Sequence, residues 1–199
     1  VMGVLRDAGG ATDNKLALGS KGALRYELIA RGRMAHSAYP ELGESAIDKL
    51  LDALAEIRSF PLPEDPVLGR GTLNIGTISG GRAPNVIPDE ARAEIMFRLT
   101  GDAEPVRAAV AKAAAGRVEA IERICIPAVR LTPFEDLPTT VVAFTTDIPA
   151  FGGSWGQPFL IGPGSIHVAH TVDEKIPKRQ LFEAVEIYTR MVRRLVTSR

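Results

Sequence analysis

Three histidines, an asparagine and an arginine carry most of the chemistry open to this sequence. His167 and His170 stand three apart in Gly162-Pro163-Gly164-Ser165-Ile166-His167-Val168-Ala169-His170-Thr171-Val172-Asp173-Glu174. On a helix they would share a face. Gly-Pro-Gly makes the segment a loop instead, and a histidine pair in a loop is a weak zinc signal by spacing alone. The plain alternative is one exposed imidazole and one that caps local backbone. No His-Glu-x-x-His motif is present. Cys125 is the only cysteine; within Ile124-Cys125-Ile126 it reads as a small buried hydrophobe. His36 lies in Gly32-Arg33-Met34-Ala35-His36-Ser37-Ala38-Tyr39-Pro40, and Asn85 lies between Pro84 and Pro88. Taken singly, each reads as turn chemistry, a polar side chain bonded to nearby backbone.

The elements around these residues form a pattern. Ala23 to Arg31 alternates as a half-buried strand through Leu24, Tyr26, Leu28 and Ala30. Ser45 to Ile57 spaces Ala46, Ile47, Leu50, Leu51, Leu54 and Ile57 as an amphipathic helix. Residues 60–71, with three prolines, form a loop, and Thr72 to Ser79 is a second strand. Val86 to Leu99 is expected as a third, with Ala91, Ala93, Ile95 and Phe97 on one face. An alanine-rich helix over Pro105 to Ala115 follows Asp102 as cap, and Gly116 stops it. Val118 to Ile126 is the fourth strand. The order strand, helix, strand, strand, helix, strand is the split βαβ, ferredoxin-like arrangement. After Pro127 the texture is rich in proline. One strand at Phe159 to Ile161 and one helix from Lys178 to Val196 are expected there, too little to form a core alone. The helix sets Leu181, Ala184, Val185, Tyr188, Met191, Val192 and Leu195 on one side.

The bulk properties exclude more than they assign. The 199 residues carry 24 Lys plus Arg and 24 Asp plus Glu. A zero formal charge disfavours a nucleic-acid partner, and no RNP-like aromatic strand supports RNA binding. No stretch reaches the ~20 apolar residues of a membrane span, and the first residues turn charged at Arg6 and Asp7, unlike a signal peptide. A lone cysteine fits a reducing, cytoplasmic compartment.

Five segments occur in one order: Lys15 to Gly22 (KLALGSKG), residues 32–47 (GRMAHSAYPELGESAI), residues 80–98 (GGRAPNVIPDEARAEIMFR), residues 145–147 (TTD) and residues 162–174 (GPGSIHVAHTVDE). Together they make the sequence similar to the zinc metallopeptidase family of carboxypeptidase G, acetylornithine deacetylase, succinyl-diaminopimelate desuccinylase and aminoacylase. The resemblance implies an α+β chain: a ferredoxin-like dimerisation lid at residues 20–127, flanked by catalytic-domain remnants at 1–19 and 128–199. It implies a homodimer formed through the lid, and in the intact enzyme hydrolysis of amide bonds in N-acyl amino acids or small peptides at two zinc ions. It places His36 at the lid histidine that enters the partner subunit's active site and polarises the scissile carbonyl. Asn85 and Arg98 match lid residues that hold the substrate's acyl oxygen or carboxylate, and Lys15 a further substrate-binding lysine. Gly162 and Gly164 would shape the loop facing the substrate. His170 matches the C-terminal metal ligand, and Asp7 falls loosely where the family has a ligand acid.

The departures matter equally. The family's His-x-Asp motif, its bridging Asp and its Glu-Glu pair have no counterpart here; no two glutamates are adjacent. The implied reading is therefore a fragment or truncated member, inactive by itself and a weak zinc binder at best. The alternative is a non-catalytic homodimerisation module.

Overall fold

The computed structural model describes residues 10–134, 136–152 and 156–197. In chain order the elements are β1 (Leu16–Ser20), β2 (Gly22–Arg31), β3 (Ala35–His36), α1 (Ala46–Ser59), β4 (Glu64–Asp65), β5 (Gly69–Arg70) and β6 (Thr72–Gly80). They continue with β7 (Val86–Ile87), β8 (Glu90–Leu99), α2 (Glu104–Ala114), β9 (Val118–Ile126), β10 (Val129–Arg130), β11 (Thr139–Val142) and α3 (Lys178–Thr197). The chain divides into two compact units, Gly22–Ala128 and the remainder.

In the Gly22–Ala128 unit four antiparallel strands stand in the order β6-β8-β2-β9. That order, with α1 and α2, is the ferredoxin-like topology expected from the alternation. Leu24, Tyr26, Leu28 and Ala30 of β2 and Ala91, Ala93, Ile95, Phe97 and Leu99 of β8 meet Leu50, Leu54, Val106 and Val110 of the helices in one core. The opposite strand positions leave an open sheet face. Ser45 caps α1, its Oγ accepting the Asp48 N–H at 3.1 Å. Asp102 Oδ1 accepts the Glu104 N–H at 3.0 Å ahead of α2, and Gly116, at φ +72, follows its end. Arg107 grips Glu122 through Nε and Nη2, both at 2.8 Å, and Tyr26 Oη donates to the same carboxylate at 3.0 Å. The Arg107 bonds hold the Glu122 carboxyl below its ordinary range, while burial and the contact with Glu122 push the Tyr26 hydroxyl up to about 12.

Two details of this unit differ from expectation. The stretch Val86 to Leu99 is two strands, β7 and β8, because Pro88 has no N–H to continue a ladder. Cys125 is exposed rather than buried. Its strand, β9, is a sheet edge, so a residue paired opposite buried Leu24 can still face solvent.

In the other unit β1 is central, antiparallel to β10 and parallel to β11. The sequence led to a single strand here, at Phe159 to Ile161; the structure has strands elsewhere and none at those residues. Phe159, Leu160 and Ile161 are nonetheless buried, and Leu160 C=O accepts the Ala17 N–H at 2.8 Å. An apolar run reports burial more directly than pairing. Leu16, Phe159, Ile161 and Met191 share one cluster; Ala17, Leu131, Val142, Ile148 and Leu160 share another. Helix α3 packs through Ala184, Ile187, Tyr188, Met191 and Leu195, whereas Leu181, Val185 and Val192, expected on the buried side, are exposed. No described helix is long and apolar enough to cross a membrane.

Candidate functional site

Within the Gly22–Ala128 unit, two loops are laced together and present His36 and Asn85 side by side. Gly32 makes the lacing possible: a Cβ there would lie 2.0 Å from the Glu44 carbonyl oxygen. Gly32 N–H instead donates to Asp89 C=O, and Arg33 and Glu44 exchange backbone bonds, all at 2.9 Å. Ala46 N–H reaches Pro88 C=O at 2.9 Å, and Arg82 forks onto Asp89. On this base β3 pairs with β7, His36 opposite Val86, and Ser37 N–H donates to Asn85 C=O at 3.0 Å. Both His36 and Asn85 are exposed.

The His36 ring is oriented by its own turn. Ala38 N–H donates to Nδ1 at 3.1 Å, and the ring meets Tyr39 edge-on at 6.4 Å. A ring nitrogen that accepts must be bare, so the neutral imidazole carries its proton on Nε2. The turn bond and the chemistry are thus compatible. Nδ1 serves the backbone, and Nε2–H is the donor that a developing oxyanion would need.

Arg98 is brought to the far end of the same sheet. It lies on β8 between Ala23 of β2 and Thr72 of β6, on the open face with Arg92, Glu94 and Met96. Eight residues separate it from Glu90 at the start of β8, which at ~3.4 Å per residue is ~27 Å. Within one subunit, therefore, Arg98 and the His36–Asn85 pair do not meet across a small substrate. Arg25 is the guanidinium nearest Arg98 in register. It carries no motif, and only the alternation of β2 signals its place on the open face.

Lys15, Gly162, Gly164 and His170 belong to the other unit. Asp13 and Asn14 both take left-handed backbone, at φ 53 and 58, and Lys15 N–H closes the turn on Thr12 C=O at 3.0 Å, leaving the Lys15 side chain exposed. Gly162 C=O accepts from Asn14 N–H at 2.8 Å and from Thr12 Oγ1, whose oxygen accepts Gly162 N–H at 3.0 Å. Gly164, at φ +86, donates to Gln180 Oε1 at 2.7 Å and accepts from Asp13 N–H at 2.8 Å. With those groups occupied, both glycines act by shaping the loop. His170 is exposed with left-handed backbone, φ 63, and its N–H is bonded to Glu174 Oε2 at 2.9 Å. His167 sits in a short 3-10 turn, and its own N–H donates to Ser165 Oγ at 3.4 Å. Asp7 lies outside the described residues. Among the described residues no group of three or more His, Cys, Asp or Glu could hold a metal ion. These residues therefore do not fit a zinc centre by themselves: His170 has Glu174 beside it and no third ligand.

Comparison with known proteins places the chain in a family. Residues 18–121 match the family model described as the peptidase dimerisation domain. A peptidase M20 domain-containing protein of Schizosaccharomyces pombe is 38% identical over 191 residues, covering 92% of this chain and 46% of that protein. A probable carboxypeptidase of Aspergillus terreus is 36% identical over 209 residues, covering 92% and 48%. The chain thus spans about half the length of the curated relatives it matches. In fold it is similar to a tripeptidase of Staphylococcus aureus, with TM-score 0.66, 20% identity and coverage of 86% of this chain and 51% of that one. An aminopeptidase of Bacillus cereus gives TM-score 0.64, 20% identity and coverage of 88% and 52%. With its dimerisation-domain model matched over more than half the chain, this protein belongs to the M20 peptidase family and carries that family's dimerisation domain.

Proposed function

We propose that this chain supplies the lid, and with it the substrate-holding groups, of a metal-dependent amide hydrolase acting on N-acyl amino acids or small peptides. The observation that carries the reading is the β3–β7 pairing, which sets exposed His36 and Asn85 together with Nε2–H as the free donor. In the reaction His36 Nε2–H and the Asn85 amide steady the scissile carbonyl oxygen as it gains charge. The Arg98 fork anchors a carboxylate, and Lys15 adds a second cation. His170 is this chain's contribution to the metal site, supported by its match within Ala169-His170-Thr171.

A homodimer makes these roles compatible. β6 is an edge of the sheet and carries no charged residue, so little blocks a partner strand. Two β6 strands paired about a two-fold axis run antiparallel. The Thr72 end of one, beside Arg98, then lies across from the Gly80 end of the other, beside Ala91 and the strand that follows Asn85. Each composite site takes Arg98 from one subunit and His36 with Asn85 from the other. The lone cysteine supports a cytoplasmic location. A second reading, a non-catalytic homodimerisation module, is favoured by the missing third metal ligand among the described residues.

The test extends the chain through its upstream reading frame and assays N-acyl amino acids and dipeptides with zinc or cobalt. His36→Ala should lower kcat by about 10²–10³-fold, as loss of an oxyanion donor does. A metal-dependent kcat unchanged by His36→Ala would overturn the assignment, and no hydrolysis at all would favour the second reading.

A further inference from the structure

The open face of the lid sheet is divided electrostatically. Toward the Arg31 end its arginines are neutralised: Arg92 holds Glu27 and Glu90, Arg123 holds Glu27, and Arg31 faces Glu90. Toward the Gly22 end the strand register gives two rows. One runs Thr72, Arg98, Ala23, Ile126; the next runs Asn74, Met96, Arg25, Ile124. Neither row contains a carboxylate. Arg25 and Arg98 are diagonal neighbours across β2 and β8, which places their Cα atoms ~7–8 Å apart on one face. Neither has an ion-pair partner among the described residues. Arg25 Nε is buried with no hydrogen-bond partner, a costly condition for a charged donor. The nearest acids are one row away; Glu27 is already engaged, and Glu94 makes no ion pair with Arg25. Thr72 and Asn74 add a hydroxyl and an amide on the same face, both exposed.

We propose that Arg25 and Arg98 form a two-guanidinium site on the lid sheet that takes a dicarboxylate, making Arg25 a specificity-determining residue for acidic substrates. The proposal rests on the reading of Arg98 as a carboxylate anchor and adds a second fork beside it. Two planar forks at this separation suit two carboxylates joined by two or three methylenes, each held bidentately. A single carboxylate would engage Arg98 and leave the Arg25 Nε–H unpartnered. Thr72 and Asn74 would supply neutral hydrogen bonds at the rim.

The test uses the 199-residue chain labelled with ¹⁵N, following the arginine Nε–H resonances while glutarate or, separately, acetate is added. Glutarate should shift both the Arg25 and the Arg98 signals saturably, with Kd at least tenfold lower than for acetate. Arg25→Gln should bring glutarate down to the acetate affinity, whereas Arg98→Gln should abolish both responses. Arg25→Lys, which keeps the charge and loses the fork, should give an intermediate Kd; backbone amide spectra report whether each variant is folded. An Arg98 shift with the Arg25 signal unmoved would overturn this proposal and leave the Arg98 assignment standing. If neither signal moves, the Arg98 assignment falls with it.

Discussion

Gly162→Ala should unpick the loop that precedes His170. An added Cβ would lie 2.3 Å from the Gly10 carbonyl oxygen, where ordinary contact begins at 3.4 Å. The nearest atoms all belong to the Gly10 backbone, so relief requires the two segments to part by ~1 Å, more than a tight core absorbs freely. The bonds in the way are Asn14 N–H and Thr12 Oγ1–H to Gly162 C=O and Gly162 N–H to Thr12 Oγ1, at 2.8 to 3.2 Å. Stretching two or three of them at ~1 kcal/mol each costs about 2–3 kcal/mol. Amide exchange under native conditions reads this locally. Protection at Asn14 should fall by roughly 30- to 150-fold, at ~1.4 kcal/mol per tenfold. Amides of Leu28 and Ile95, in the other unit, should keep theirs. Gly101→Ala is the control, since its Cβ would meet open space. Exchange at Asn14 within about threefold of the unsubstituted protein would refute the packing argument, because then the 2.3 Å approach would not constrain the loop.

The 199-residue chain alone should show no zinc- or cobalt-dependent turnover of N-acyl amino acids, and calorimetry should find weak zinc binding that His170→Ala removes; a tight site would mean ligands outside those named. Light scattering at micromolar concentration should give about twice the 21.3 kDa chain mass, and Thr77→Lys on the β6 edge should shift it toward monomer with the circular dichroism unchanged. The Gly22–Ala128 unit should lose stability in acid. The Glu122 carboxyl is depressed by Arg107, so its contribution is complete above its unfolded pKa and disappears as pH falls through the lower folded value. Arg107→Gln should flatten that acid slope in urea titrations. Leu28→Ala, at the centre of β2 and fully buried, should cost about 2–5 kcal/mol in the same titrations.

The ferredoxin-like fold of the Gly22–Ala128 unit was legible in the sequence because its strands face a core on one side only. Alternation in Leu24, Tyr26, Leu28 and Ala30, and again in Ala91, Ala93, Ile95 and Phe97, is the period of a half-buried sheet. The rest of the chain was not legible for the complementary reason. Leu16 and Ala17 each face a separate cluster, so β1 shows an apolar run without a period. Val185 and Val192 continue the helical period of α3 but are exposed. The candidate site divided in the same way. His36 and Asn85 stood out as turn residues in glycine- and proline-rich loops, but only the pairing of β3 with β7 brings them together. Arg98 looked close to Asn85 in sequence, yet the extended strand between them carries it to the other end of the sheet. Arg25 is one charge in an alternating strand, and only the absence of an acid opposite it sets it apart.

The central claim is that each composite site joins Arg98 of one subunit to His36 and Asn85 of its partner. Mixing two variants of the upstream-extended enzyme, His36→Ala and Arg98→Gln, tests it. Each alone has damage in both of its sites and should be nearly inactive. After subunit exchange, half of the dimers are mixed, and each carries one site with both lesions and one site with neither. Recovery of about a quarter of the unsubstituted activity is the predicted result. No recovery, with exchange verified by mass, would contradict the account, because it would place His36 and Arg98 of the same subunit in one site.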